Sequence, residues 1–173
     1  MSPDHPQPDP LYRFRHLIGP AIDHLAHAFG QREYVVRDEG YVGTAPESAP
    51  KFEKTLRDLG FAWDPLSLYH HTPSGRTSDA SWTYRETPLV DRQLHVVLFE
   101  QADDTVDIYA HEEPSWVRHP LKHALMDDID RSRGVARTCA LFDQAAIEYQ
   151  QQSSSVITAG RLTDSIRAKL PVL

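Results

Sequence analysis

Histidine is the residue type in this chain best suited to chemistry, and there are ten histidines in 173 residues. An imidazole exchanges a proton near neutral pH and is a common metal ligand, so histidine spacing bears directly on function. His119 and His123 are four residues apart, a spacing that puts two imidazoles on one helix face, and Asp127 follows one turn later. These three residues are candidate ligands for a divalent metal ion, although the same spacing also occurs on ordinary exposed helices.

A second group of histidines lies just before a polar loop. His70 and His71 end an apolar stretch, and residues 73–80 are rich in turn-forming residues. Because loops at strand ends often carry function, we predict catalytic roles for His70, His71 and His95. The loop also offers a guanidinium and two hydroxyls suited to a phosphate or carboxylate ligand, on Ser74, Arg76 and Thr77.

One of these histidine segments resembles a known motif. The tripeptide His-His-Thr at 70–72 resembles one of the two His-x-Thr/Ser motifs of the two-histidine phosphoesterases. The tripeptide at 95–97 supplies a second histidine, but valine stands where the hydroxyl residue belongs. The resemblance therefore implies only a metal-free mechanism, in which His70 and His95 share the roles of acid and base.

Other catalytic signatures are lacking in the sequence. The single cysteine, Cys139, cannot form an internal disulfide and falls in an apolar helical stripe, where thiols are usually unreactive. The sequence has no P-loop, no GxSxG elbow and no HExxH motif. No motif therefore identifies a particular reaction.

Composition narrows the class of protein. The formal net charge of −7 disfavours non-specific binding to nucleic acid or to an acidic membrane surface. Apolar residues make up 40% of the chain, which is enough for a core, but no run approaches the roughly 18–20 apolar residues of a membrane span. We expect a cytoplasmic protein, since the N-terminus does not resemble a signal peptide. Few of the basic residues are lysine, which suggests a high-GC or a salt-adapted source.

The strongest structural pattern is a β-hairpin at residues 93–111. Apolar residues alternate in both arms, and a polar segment separates them. Folding the arms about a four-residue loop at 101–104 predicts that Val97 and Phe99 share one interior with residues 106 and 108. The first arm is apolar on both faces, so it is predicted to be a central strand; the second is apolar on one face, so it is predicted nearer an edge or a solvent face. The same alternation predicts His95 and His111 on opposite faces.

The remaining elements complete an α+β pattern. Helices are predicted at 11–29 (interrupted at Pro20), 49–60, 120–134 and 135–144, and strands at 33–43 (one strand with a bulge, or a small hairpin), 61–71, 81–87 and 147–150. We predict a single domain at 11–150, with a largely antiparallel sheet of about four to six strands and helices packed on it. A proline-rich tail at 1–10 precedes this domain, and a linker with an amphipathic helix at 151–173 follows it.

Two classes of function fit these observations, and the first is favoured because no catalytic signature occurs. The first is a binding module for a small molecule or a protein, able to form a homo-oligomer through its C-terminal helix. The second is a hydrolase that uses clustered histidines, either with a divalent metal ion or by acid–base catalysis without one.

Overall fold

The structure is a computed structural model that describes residues 34–63 and 70–151, and the isolated helical residues Phe14, Leu17, Ile18 and Ala21. The two long segments form the strands β1 (Tyr34–Val35), β2 (Tyr41–Ala45), β3 (Ala62–Trp63), β4 (His70–His71), β5 (Ala80–Tyr84), β6 (Arg92–Glu100) and β7 (Val106–Pro114). They also form the helices α1 (Ala49–Asp58), α2 (Pro120–Ala124) and α3 (Arg131–Gln144). The predicted α+β class is confirmed.

The strands form two sheets. The larger is antiparallel with the order β2-β7-β6-β5-β3, and the smaller pairs β1 with β4 in parallel. Strand β6 lies at the centre of the larger sheet, as its two apolar faces predicted, and β7 lies one strand in from the edge. The predictions for 33–43 and 61–71 are corrected, because the described parts of each segment contribute strands to both sheets.

The β6–β7 hairpin forms, but its register is one residue away from the predicted one. Phe99 pairs with Asp107, because the loop spans residues 101–105 and is one residue longer than expected. A left-handed residue in this loop, Asp104 with a φ of 59°, accommodates the longer turn. Val97 and Phe99 are buried on one face of the sheet, and the side chains of residues 106 and 108 are buried on the other, so the predicted shared interior was wrong.

The corrected register changes the position of the histidines. His95 and His111 are direct cross-strand partners in the hairpin. Cross-strand partners place their side chains on the same face of a sheet, so the prediction that these two lie on opposite faces was also wrong. A shift of one residue has this effect because side chains alternate with a period of two.

Helices α1 and α3 cover one face of the larger sheet. Helix α1 begins after Ser48 with Pro50 in its first turn and buries Phe52 and Leu56, as predicted. Phe52 packs edge-to-face on Phe142 of α3, with ring centroids 5.6 Å apart. The buried core on this side consists of Val42, Ala45, Ala49, Phe52, Leu56, Phe61, Ala80, Trp82, Leu94, Val96, Leu98, Val106, Ile108, Ala110 and Phe142.

The opposite face of the sheet has a smaller core and more polar side chains. Val97 and Phe99 form this core with Val36, and Tyr34 and Tyr109 pack against it. Because Tyr34 belongs to β1, the two-stranded sheet contributes to the cover of this face. His70, His95 and His111 lie on this polar side.

The predicted helix at 120–134 is corrected. Helix α2 ends at Ala124, and α3 begins at Arg131 after Asp130, whose side chain accepts a hydrogen bond from the backbone N–H of Arg133. Leu121 and Leu125 are 79% and 78% exposed, so the apolar stripe predicted for this helix is not buried. The helix predicted at 135–144 is confirmed as the main part of α3.

The remaining predicted segments are either shorter than expected or lie outside the described residues. The strand predicted at 147–150 is reduced to a single bridge between Gln150 and Thr44. The tail at 1–10, most of the helix at 11–29 and the segment 152–173 lie outside the described residues. None of the helices in the described part of the chain is long and apolar enough to cross a membrane.

Gly134 allows α3 to approach the sheet closely at one point. A Cβ atom on this residue would overlap the backbone of His111 in β7. This position is therefore a close approach of helix and strand backbones, directly behind one of the histidines.

We expect Gly134→Ala to destabilise the protein by about 1–3 kcal/mol, because the added methyl group must push β7 away from α3. In an exposed helix, replacing glycine by alanine stabilises a protein by about 1 kcal/mol. The sign of the change in the free energy of unfolding therefore shows whether this position is closely packed. Urea unfolding measures the effect, and Ala136→Gly at an exposed position of α3 calibrates helix propensity. A gain in stability for Gly134→Ala would contradict the close packing.

Candidate metal centre

Three histidines from three different strands converge on the polar side of the sheet. They are His70 of β4, His95 of β6 and His111 of β7, and each is no more than 5% exposed. One ligand nitrogen from each lies within 4.8 Å of those of the other two. The ring centroids are 5.0 Å apart for His70 and His95, 4.8 Å for His95 and His111, and 6.0 Å for His70 and His111.

Backbone hydrogen bonding positions all three rings. The hairpin register places His95 opposite His111. His70 lies in β4, where it is paired with Tyr34 of β1. The backbone N–H of His70 also donates to the Ser78 hydroxyl at 3.1 Å, and the Ser78 N–H donates to the His70 carbonyl at 2.8 Å. Strands, rather than free loops, therefore carry the three imidazoles.

A buried carboxylate, Glu113, lies behind two of the imidazoles. Its Oε1 lies 3.2 Å from Nδ1 of His95, and its Oε2 lies 3.2 Å from Nε2 of His111. The side-chain amide of Gln93 donates to Oε1 at 2.7 Å. Burial alone would raise the pKa of Glu113, but its interactions with His95 and His111 outweigh burial and hold the pKa well below its usual value. Glu113 is therefore ionised at neutral pH.

His111 remains neutral in this environment. Burial lowers the pKa of its imidazole, and the hydrogen bond with Glu113 opposes the shift only in part. A neutral imidazole keeps a lone pair on one ring nitrogen, as metal coordination requires.

Tyr34 borders the cluster from β1. Its hydroxyl lies 3.4 Å from Nδ1 of His111, and its ring is edge-on to His70 with centroids 4.4 Å apart. Burial raises the pKa of the Tyr34 phenol, while the nearby guanidiniums of Arg131 and Arg37 oppose the shift. Tyr34 therefore stays protonated at neutral pH and can act as a hydrogen-bond donor.

The position of Glu113 selects the imidazole tautomers. An ionised carboxylate accepts protons, so it favours N–H at Nδ1 of His95 and at Nε2 of His111. In the neutral form of each ring, the lone pair then lies on Nε2 of His95 and on Nδ1 of His111. The first contacts the hydroxyl of Ser81, and the second faces the hydroxyl of Tyr34. Carboxylates that orient histidines in this way are typical of the surroundings of metal ligands.

The predicted catalytic histidines are only partly brought together. His70 and His95 are neighbours in the cluster. His71 is half-buried and follows His70 directly in β4, so its side chain points to the other face of the strand. The geometry leaves the predicted roles of His70 and His95 open to test and gives His71 no place beside them.

The predicted metal ligands after β7 do not converge. Nε2 of His119 lies 3.1 Å from Asp91, whereas Nδ1 of His123 lies 3.3 Å from the Pro114 carbonyl and 3.4 Å from Oε1 of Glu113. Asp127 is exposed. Among the described residues 34–63 and 70–151, one group of at least three residues has ligand atoms close enough together to hold a single ion. It consists of His70, His95 and His111.

The predicted ligand-binding loop is partly occupied by contacts within the protein. Arg76 donates to the Gln101 side chain at 3.0 Å and lies 3.5 Å from the Asp79 carboxylate. Ser74 shares a hydrogen bond of 2.9 Å with Thr72, and Thr77 is exposed. The role of this loop in ligand binding remains a prediction.

Sequence reasoning missed His111, Glu113 and Tyr34 as site residues. The alternation in β7 places Tyr109, His111 and Glu113 on one face, so the carboxylate could have been associated with His111 from the sequence. The register error hid its relation to His95. Tyr34 carries no comparable pattern, because only the pairing of β1 with β4 brings it to the site.

Comparisons with known proteins do not assign this chain to a family. No family model matches it, and searches of curated proteins and of solved structures find no significant match. The function of the protein is therefore inferred from the site itself.

We expect the metal-free protein to lose stability as the pH falls from about 6.5, because unfolded His111 takes up a proton that buried His111 resists. The sign follows from the lowered pKa of the folded state, since the unfolded chain binds more protons in this range. His111→Gln should flatten the dependence between pH 7 and pH 5. Urea unfolding with EDTA present measures it.

Glu113 acts in a separate range of pH. Its stabilising effect on the folded protein is present above its unfolded pKa of about 4.3 and is lost below it, since the folded pKa is depressed.

If the free energy of unfolding of His111→Gln depended on pH between 7 and 5 as that of the unaltered protein does, the assignment to His111 would be contradicted.

Proposed function

We propose that this protein binds one divalent transition-metal ion through His70, His95 and His111 and uses it to activate water for hydrolysis. The observation that carries the proposal is the convergence of three buried imidazole nitrogens within 4.8 Å. Imidazole suits Zn²⁺, Fe²⁺, Cu²⁺ and Ni²⁺, and Zn²⁺ is the ion that most often serves in hydrolysis.

Burial of the cluster supports a role beyond packing. Buried polar groups are destabilising unless they find partners, and this cluster places an ionised carboxylate among three imidazoles within the protein. Apolar side chains fill other parts of this face, at Val97 and Phe99. Three histidines and Glu113 at this buried position therefore favour binding of a ligand, such as a metal ion, that apolar residues could not bind.

The spacing of the nitrogens is compatible with an ion. Zn²⁺ binds imidazole nitrogen at about 2.1 Å, so nitrogens up to 4.8 Å apart would each have to move inward by less than about 1 Å. His70 lies in the shortest of the three strands, two residues against nine in β6 and in β7, where such an adjustment is least restricted. Glu113 would then orient His95 and His111 from behind.

Three protein ligands favour catalysis over a purely structural site. Structural zinc sites usually have four protein ligands, whereas catalytic sites keep one position for water or substrate. A bound ion would lower the pKa of that water toward neutrality. The Tyr34 hydroxyl lies beside His111 and is placed to donate a hydrogen bond to this region. The binding-module alternative remains, since a metal site can also bind a ligand without turnover.

One specific contact favours a second candidate function without metal. The Ser81 hydroxyl contacts Nε2 of His95, and Glu113 lies at the other ring nitrogen. This order of nucleophile, base and orienting carboxylate is that of a serine hydrolase. Ser81 is fully buried, so a substrate would reach it only after β5 or its cover moves. Retention of activity after complete metal removal, with loss in Ser81→Ala, would favour this second function.

We expect the purified protein to bind about one Zn²⁺ or Co²⁺ per chain and to melt at a lower temperature after EDTA treatment. Glu113→Gln should weaken metal binding by about 10–100-fold, because the carboxylate no longer orients two ligands. His70→Ala should weaken it further by removing a ligand. Metal titration followed by Co²⁺ absorption and elemental analysis measures these effects.

The control is the double variant His119→Ala with Asp127→Ala, which removes two of the three metal ligands predicted from the sequence. Its metal affinity should equal that of the unaltered protein, because these side chains lie apart from the cluster. Loss of metal in this control, or no binding at micromolar metal by the unaltered protein, would contradict the proposed centre.

A further inference from the structure

A cleft of about 740 Å³ lies beside the histidine cluster, and Tyr34 belongs to both. Its hydroxyl is 3.4 Å from His111, and its ring also lines the cleft. A molecule bound in this cleft would therefore be separated from the cluster by one side chain. Pockets of this size accommodate small organic ligands.

The cleft wall carries two guanidiniums that lack carboxylate partners among the described residues. These are Arg37 and Arg131. The Nε of Arg131 is buried and makes no hydrogen bond to any described residue. Arg92, Arg133 and Arg137, by contrast, surround the buried carboxylate of Glu112.

Both guanidiniums act close to the proposed reaction centre. The central carbon of Arg131 lies 5.9 Å from the Tyr34 ring centroid. Arg37 follows Tyr34 by three residues and lines the same cleft. An anionic group held by Arg131 would thus lie next to Tyr34.

The cleft lining also has an apolar and accessible part. Leu125 is 78% exposed and Val35 is 40% exposed, although both are large apolar side chains, and Ile129 lines the same space. Asp38 and Glu39, in a 3-10 turn at Asp38–Gly40, border the cleft as well, so the favourable place for an anion is at the guanidiniums. The lining therefore combines cationic groups with an apolar surface.

We propose that this cleft binds a small organic anion, with its carboxylate or phosphate on Arg131 and Arg37 and its hydrocarbon part on Leu125 and Ile129. The proposal that this anion is the substrate rests on the proposed hydrolytic function, but binding of the anion does not. A guanidinium forms paired hydrogen bonds with either oxyanion, so carboxylate and phosphate are tested as separate probes.

Isothermal titration with hexanoate, hexyl phosphate, acetate and hexanol tests the cleft in the full-length protein. At least one of the two six-carbon anions should bind more tightly than acetate and than neutral hexanol. Arg131→Gln should weaken anion binding by about tenfold or more, because a charge-assisted pair is lost. Arg118→Gln is the matched control, since Arg118 is exposed and pairs with Asp91; its affinities should be unchanged.

A second variant tests the apolar part. Leu125→Ser changes an exposed side chain, so it should fold normally while reducing the preference for hexanoate or hexyl phosphate over acetate. Equal affinities for Arg131→Gln and the unaltered protein, or binding of hexanol as tight as that of the anions, would overturn the proposal. The relative affinities of hexanoate and hexyl phosphate identify which oxyanion the cleft prefers.

Metal content measured on the same samples separates this inference from the proposed function. Arg131→Gln should retain its metal ion while losing the anion. Anion binding that depends on Arg131 in a protein that takes up no metal would support the cleft and reject the metal centre. A protein that binds metal but no anion would support the metal centre and reject the cleft as an anion site.

Discussion

The direct pairing of His95 with His111 across the β6–β7 hairpin is the constraint on which the site depends. Cross-strand partners are held within a few ångströms by backbone hydrogen bonds, so the two imidazoles meet without any loop having to fix them. The five-residue loop at 101–105 sets this register. One residue fewer would place the two rings on opposite faces of the sheet and would disperse the cluster.

The two faces of the larger sheet differ in composition. Helices α1 and α3 pack on an apolar face that forms most of the core, including Phe52 and Phe142. The other face retains a buried carboxylate and three imidazoles beside a small apolar cluster. Gly134 links the faces, since it lets α3 contact the backbone of His111 directly. Helix α3 thus packs on the backbone of His111, while the carboxylate of Glu113 contacts the side chain of the same residue.

Much of the architecture could be predicted from local patterns. Helix α1 followed from its apolar spacing and from Pro50 in its first turn, and the central position of β6 followed from its two apolar faces. The site could not be predicted in the same way. Its assembly depends on a loop length in the hairpin and on the parallel pairing of Tyr34 with His70, a contact between residues far apart in the chain.

The errors made from the sequence have a common physical origin. The His119–His123 spacing suggested a site because i, i+4 pairs are visible within a single segment. The cluster at His70, His95 and His111 is assembled from three strands, and no local spacing encodes it. Helix α2 also ends early, so the stripe that included Leu125 is exposed beside the cleft instead of buried in the core.

The most direct test is a crystal structure of the zinc-loaded protein with anomalous scattering recorded at the zinc edge. The account predicts a single strong anomalous peak about 2.1 Å from a nitrogen of His70, Nε2 of His95 and Nδ1 of His111, with Glu113 on the opposite ring nitrogens of the last two. A peak at His119 and His123, or coordination through Nδ1 of His95, would contradict it.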